Sequence, residues 1–168
     1  FGMALTTFVG QNIGAGKMHR VKEGLRATML MSVLCGIGAM VLVLTCGPNM
    51  MHLFSQEAAV VEAGMDYLRP VMYCYLLFAI MNTVLSVLRG AGDMVFPMIT
   101  SLLSLWIIRL PMAYLFSYWF GKEYIFFSYG GGWLIGMTMA IIYYFTGRWK
   151  KKAVVSKQSE EGLQEKYE

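Results

Sequence analysis

The stretch Ala27-Thr-Met-Leu-Met-Ser-Val-Leu-Cys-Gly-Ile-Gly-Ala-Met-Val-Leu-Val-Leu-Thr-Cys-Gly-Pro48 opens a run of 30 residues, Ala27–Gln56, without one charged side chain. A helix that crosses a ~30 Å hydrocarbon core needs ~20 mostly apolar residues. The run is long enough, and Gly47-Pro48 predicts where its helical part stops, since both residues end helices. Outward from it, similar stretches recur. Phe1–Gly16 carries no charge, Pro70–Leu88 none over 19 residues, Met94–Gly121 only Arg109, and Tyr124–Gly147 none over 24. We therefore predict five transmembrane spans near 1–16 (truncated), 27–47, 67–88, 95–118 and 129–147. Nothing in them alternates with a ten-residue period, so the class is an all-α membrane bundle rather than a barrel.

Composition agrees. Hydrophobic residues make up 57% of the 168, charged residues 14%, and the mean hydropathy is +0.54. Soluble domains average ~45–50% apolar and ~25% charged. Ten of the 24 charges lie in the last 21 residues, so the first 147 hold too few to clothe a water-soluble surface. An ordinary soluble enzyme, a disordered chain and a nucleic-acid-binding module are excluded, the last because the basic residues border apolar runs. The chain opens Phe1-Gly2-Met3, uncharged and apolar, with no basic n-region. That start is unlike a signal peptide and predicts a piece of a longer chain entered partway through a span.

Lys and Arg in short loops set orientation. Lys17, Arg20, Lys22, Arg26, Arg89, Arg148, Lys150, Lys151 and Lys152 fall on one side. The other has Lys122, with Arg69 at a span boundary, and the acidic Glu57, Glu62 and Asp66. The basic side, with the C-terminus, is expected to be cytoplasmic in a plasma-membrane protein. Tyr67, Tyr73, Tyr118, Trp119, Tyr124, Tyr129 and Trp133 border the outer ends and Trp149 the inner one, the depth at which amphipathic rings settle. The polar tail, 148–168, reads as a cytoplasmic frayed helix or disordered segment, and its Arg148-Trp-Lys-Lys-Lys start as a topology anchor that also suits anionic lipid heads.

The sequence contains no catalytic motif. Cys35, Cys46 and Cys74 lack paired spacing and read as small core residues. His19 and His52 lie on opposite sides of the membrane and cannot share a metal, so no cofactor is expected. The Gly14-Ala-Gly-Lys17 stretch lacks the first Gly and the Ser/Thr of a phosphate loop. Instead it pairs with Gly90-Ala-Gly-Asp93, two spans later. Both place glycines where a span reaches the cytoplasm, as left-handed helix caps do. Gln11 in the first span and Asn82 in the third, the latter on one face with Phe78 and Tyr75, are suited either to interhelical hydrogen bonds or to a wet cavity. Arg109 sits about 14 residues into its helix, roughly 21 Å from the inner face. Its alternatives are snorkelling, an ion pair or a substrate contact. Pro111 removes the bond to the Ile107 carbonyl and predicts a bend. Gly132-x-x-x-Gly136-x-x-x-Ala140 gives the last span a close-packing face.

Val9-Gly-Gln-Asn-Ile-Gly-Ala-Gly-Lys17, Leu88-Arg-Gly-Ala-Gly-Asp93 with Pro97, Trp106-Ile-Ile-Arg-Leu-Pro-Met-Ala-Tyr114, and Gly132-Trp133 before an Arg148-Trp-Lys end occur in that order. Together they resemble the C-terminal part of a multidrug and toxic compound extrusion (MATE) transporter, from Phe1 to about Lys151. The resemblance implies most of the C-terminal lobe of a two-lobed, six-plus-six helix transporter whose partner is the missing N-terminal lobe. It implies secondary-active, cation-coupled antiport, with H⁺ or Na⁺ moving in as amphipathic, often cationic compounds move out by alternating access. Gln11, Tyr75, Phe78 and Asn82 would then face the cavity, while Gly14, Gly16, Gly90, Gly92, Arg109 and Pro111 would serve as hinge and structural residues. The third span has no carboxylate below Asp66, which speaks against Na⁺ coupling through this lobe, and the resemblance implies that a coupling carboxylate, if one is used, lies in the N-terminal lobe. The alternatives are a flippase for a lipid-linked precursor from the same superfamily, which usually needs several embedded basic residues, and a non-transport membrane subunit. A membrane enzyme would need a cluster of His, Asp or Cys at one depth.

Overall fold

A computed structural model describes residues 1–150, 152 and 153, without the side chains of Lys122 and Glu123. In chain order it contains α1 (Gly2–Gly14), α2 (Met18–His52), α3 (Ala58–Gly90), α4 (Val95–Leu102), a π-helical turn (Leu103–Ile108), α5 (Arg109–Phe120), a 3₁₀ turn (Lys122–Phe127) and α6 (Ser128–Thr146). There is no strand among the described residues. Four helical stretches are long and apolar enough to cross a membrane: Met18–His52, Ala58–Gly90, Val95–Phe120 and Tyr124–Thr146. The described part of α1, at 13 residues, spans only about 20 Å. Apart from residues 152 and 153, which are helical, the expectation for the polar tail beyond Lys150 lies outside the described residues.

Helix ends depart from the predicted spans, and the predicted stop at Gly47-Pro48 is overturned. α2 runs through both residues to His52. Gly47 is buried, and a Cβ there would lie 2.8 Å from the Met65 sulfur, so its smallness serves a contact with α3 rather than a cap. Pro48 gives up one backbone bond, to the Leu44 carbonyl, a single turn from the end of a 35-residue helix. α3 likewise begins nine residues before the predicted span and passes through Pro70. Charge maps locate the hydrocarbon-matching part of a helix. The helix itself continues through the turns bearing Glu62 and Asp66, because a charged side chain does not stop a helix. The outer connection therefore shrinks to residues 53–57.

α3 is the axis, packed against α1, α2 and α6. Its C-terminal half contributes Met81, Val84, Leu85, Val87 and Leu88 to a core completed by Leu5 and Val9 of α1, Val21 of α2, Ala140 of α6, and Trp149 and Ala153 beyond it. The small-residue face of α6 packs closely, as its spacing predicts. Gly132, Gly136 and Ala140 are buried, and Cβ atoms at the two glycines would lie 2.9 Å from the Ser104 carbonyl oxygen and 2.6 Å from the Met81 sulfur. Conversely, Leu30, Leu34, Ile37 and Val41 form an exposed apolar stripe along α2. In water such a stripe is a liability, whereas lipid tails are as apolar as leucine and impose no cost.

Candidate functional site

Positions 75, 78, 79 and 82 share one face of α3, because a helix repeats at three and four residues. That face borders a cleft of about 390 Å³ between α1, α2 and α3. Tyr75, Phe78, Asn82 and Thr83 line it from α3, and Ser32 and Gly36 from α2. Thr83 Oγ1 donates to the Ala79 carbonyl at 2.8 Å and lies 3.4 Å from the Ser32 hydroxyl. The cleft thus joins three predicted cavity residues. Gln11 is not among its lining residues: it is exposed near the C-terminal end of α1.

The aromatic wall extends further than the sequence indicates. Phe78 stacks 5.3 Å from Trp133 of α6, Tyr75 lies 6.4 Å from the same ring, and Trp133 meets Tyr129 at 5.5 Å. Tyr67 and Phe126 continue the row. At its far end the Arg109 guanidinium sits 3.5 Å above the Tyr129 ring. An ion pair is one of the sequence alternatives for Arg109, but among the described residues it has no carboxylate partner. A ring face stabilises such a cation by ~0.5–2 kcal/mol. Trp133 reads from sequence as an interfacial residue, and only the packing of α6 on α3 shows that it backs the two cleft-lining rings, Tyr75 and Phe78.

Sequence spacing also misses Arg89. By charge pattern a loop residue, it is the last-turn residue of α3, and its Nη1 donates to Asn82 Oδ1 at 3.3 Å, seven residues back. This sets a positive charge beside the Asn82 edge of the cleft. A long flexible side chain at a helix end leaves no spacing signal for such a reach.

The two Gly-Ala-Gly segments form the same cap. The Gly16 N–H donates to the Ile13 carbonyl and that of Lys17 to Asn12. The Gly92 N–H donates to Arg89 and that of Asp93 to Leu88. Gly16 and Gly92 take φ of 71° and 82°, the left-handed conformation this double bond requires. The first glycines differ. Gly14 faces open space, whereas a Cβ at Gly90 would strike the Thr6 carbonyl and lie 2.8 Å from the Val9 Cβ. Thr6 Oγ1 also donates to the Ser86 carbonyl, 3.2 Å away, where α1 crosses α3.

Immediately after the second cap, Asp93 is buried, its side chain fully covered. It accepts from Lys152 Nζ at 2.7 Å, Tyr143 OH at 2.6 Å and the Phe96 N–H at 3.4 Å. Burial pushes its carboxyl up, but the Lys152 and Tyr143 hydrogen bonds, the Phe96 N–H and the Lys152 charge outweigh it and hold the group below its ordinary value. The same contact raises Lys152. Among the described residues no group of His, Cys, Asp and Glu forms a metal site.

A family model described as MatE matches residues 1–115. The chain is 31% identical over 149 residues to the probable multidrug resistance protein YpnP of Bacillus subtilis, covering 89% of this chain and 34% of that one. It is 25% identical over 164 residues to the probable multidrug resistance protein NorM of Thermotoga maritima (93% and 34%). It is 24% identical over 113 residues to the human multidrug and toxin extrusion protein 1 (67% and 20%). No solved structure matches it significantly. The chain spans about a third of the length of the bacterial relatives. The two matched caps, the aromatic-walled cleft and the apolar bundle therefore belong to a multi-pass membrane protein, and the chain is a member of the MatE family.

Proposed function

We propose that this chain forms most of the C-terminal lobe of a cation-coupled efflux transporter that exports amphipathic, often cationic compounds by alternating access. The observation that carries the reading is the cleft itself, with the rings of Tyr75 and Phe78, backed by Trp133 of α6, beside the Asn82 amide in an otherwise apolar bundle. Aromatic faces hold an amphipathic cation by cation–π attraction and dispersion, without a fixed opposite charge. A wall of that kind adapts to many substrates. The relatives, named for multidrug resistance and extrusion, support the same class.

Coupling is assigned to a carboxylate outside this segment. Asp93, beyond the end of α3, is already held by Lys152 and Tyr143, and Asp66 within α3 lies more than two turns N-terminal to Tyr75. Protonation of a carboxylate in the N-terminal lobe would shift the balance between outward- and inward-open forms, with H⁺ as the coupling ion. The C-terminus is placed in the cytoplasm and the protein in the plasma membrane. The test uses the full-length transporter in cells lacking their other drug pumps. Phe78→Ala and Asn82→Ala are expected to change resistance to some compounds at least fivefold more than to others. A uniform loss across all compounds would mark these residues as structural and overturn the cavity assignment.

A further inference from the structure

At the cytoplasmic end of the bundle a second cleft, of about 430 Å³, opens between the first turns of α2 and the end of α6. Lys22 and Arg26, one turn apart on α2, form one wall, and Lys150 stands on the other. Its floor is Trp149, 1% exposed, which stacks on Tyr144 and donates Nε1–H to the Tyr144 carbonyl at 3.0 Å. The Lys150 ammonium lies 5.7 Å above the Trp149 ring. Phe145, 79% exposed, forms the lip toward the membrane.

Like charges four residues apart on a helix repel, and no carboxylate among the described residues relieves Lys22 and Arg26. Glu23 lines a different cleft, between α1 and α2, and Asp93 is occupied by Lys152. Three cations therefore converge on one space, over a rigid aromatic floor that keeps them from collapsing onto the protein. The depth identifies the anion. α6 ends at Thr146 and Gly147 caps it with φ of 68°, so the cleft sits at the end of a helix long and apolar enough to cross a membrane, the depth of lipid headgroups for a spanning helix, with the Phe145 ring exposed beside it.

We propose that this cleft is a binding site for the phosphate headgroup of one anionic lipid of the adjoining leaflet. The Arg26 fork and the two ammonium groups hold the phosphate, and Phe145 lies against the first acyl carbons. Guanidinium suits such an oxygen pair because its parallel N–H donors match it. The inference requires that α6 is a membrane span and does not depend on drug export.

The experiment takes the full-length protein in neutral detergent and titrates it with phosphatidylglycerol or phosphatidylcholine, counting bound lipids by native mass spectrometry. One phosphatidylglycerol is expected to bind at least tenfold more tightly to the unaltered protein than to Lys22→Gln/Arg26→Gln/Lys150→Gln. Phosphatidylcholine binding should be equal in both, and millimolar inorganic phosphate should not displace the lipid. A Lys17→Gln/Arg20→Gln variant, altered on the same side but away from the cleft, should keep the tight site. If this variant loses as much affinity as the triple variant, diffuse surface charge is responsible and the proposal fails. It fails equally if inorganic phosphate competes fully, which would make this a soluble-anion site. It fails too if removal of residues 154–168 creates the tight binding, because the acidic tail would then be the natural occupant. Matching thermal unfolding of all variants guards against a folding effect.

Discussion

Asp93 is a buried carboxylate in a membrane protein, and three donors make that tenable. An unpaired charge at such a site costs several kcal/mol, and the pair is tolerated because its remaining lone pairs are filled. Asp93→Ala leaves the Tyr143 hydroxyl without its acceptor and the Lys152 ammonium without its partner. A loss of ~1–3 kcal/mol in unfolding stability is expected for the orphaned buried hydroxyl, readable as a lower Tm of the full-length protein. The pH dependence follows from the directions. With the folded Asp93 pKa held below its unfolded value, its stabilisation is full above the ordinary carboxylate range and fades as pH falls through the folded pKa. With Lys152 raised, its share is full below the ordinary lysine range and is lost as pH rises through the folded value. Thermal unfolding between pH 3 and 7 should therefore show an acid-side loss that Asp93→Ala abolishes.

The matched glycines carry a second prediction at this scale. Gly16→Ala and Gly92→Ala should each cost ~1–2 kcal/mol, because both positions are left-handed. Gly14→Ala, with open space around it, should be neutral or stabilising by up to ~1 kcal/mol, as alanine propensity dictates. Gly90→Ala should cost ~1–3 kcal/mol by pushing α1 away from α3. Equal effects at Gly14 and Gly90, measured by thermal unfolding of the full-length protein, would contradict the packing described.

At the scale of elements, Pro111 is preceded by a change of helix type. The helix widens just before it, at Leu103–Ile108, and the Arg109 N–H donates to the Ser104 carbonyl five residues back. A wider turn relieves the clash between the proline ring and the Ile107 carbonyl. It also turns Ser104 inward, where its hydroxyl donates to the Gly132 carbonyl. The widened turn and the small-residue face of α6 thus form one joint. Gly136→Leu should break it, colliding with Met81 and Ser104 and lowering the folded yield of full-length protein severalfold. Pro111→Ala removes the reason for the widening and should reduce export of all compounds together, with drug-specific changes staying below about twofold. Selective changes would move α5 from a structural to a substrate-contacting role.

At the scale of the molecule, the exposed apolar surfaces of α2, α4 and α5 suit contact with lipid tails, which are as apolar as leucine. The basic ends cluster on one side. Lys17, Arg20, Lys22, Arg26, Arg89, Arg148, Lys150 and Lys152 lie at the ends of helices that share the two Gly-Ala-Gly caps, opposite the short turn at 53–57. In intact cells, an impermeant thiol reagent should label Gln56→Cys and spare Lys22→Cys in a full-length protein freed of its native cysteines. The reverse pattern would invert the topology.

Uncharged runs such as Ala27–Gln56 and Tyr124–Gly147 determined the helical membrane class by themselves, because only a helix satisfies its own backbone within hydrocarbon. The small-residue repeat of α6, the two caps and the face shared by Tyr75, Phe78 and Asn82 were equally legible, since each rests on local spacing. What the tertiary structure decided depends on neighbours distant in sequence. Gly47 stays helical because Met65 covers it, and Trp133 backs the cleft's Tyr75 and Phe78 rings because α6 packs on α3. Gln11 falls outside that cleft because it sits near the opposite end of α1. Asp93 is charged and buried because Lys152 and Tyr143, 59 and 50 residues away, converge on it. Local periodicity fixes which face a residue occupies, but only the crossing of helices fixes what that face meets.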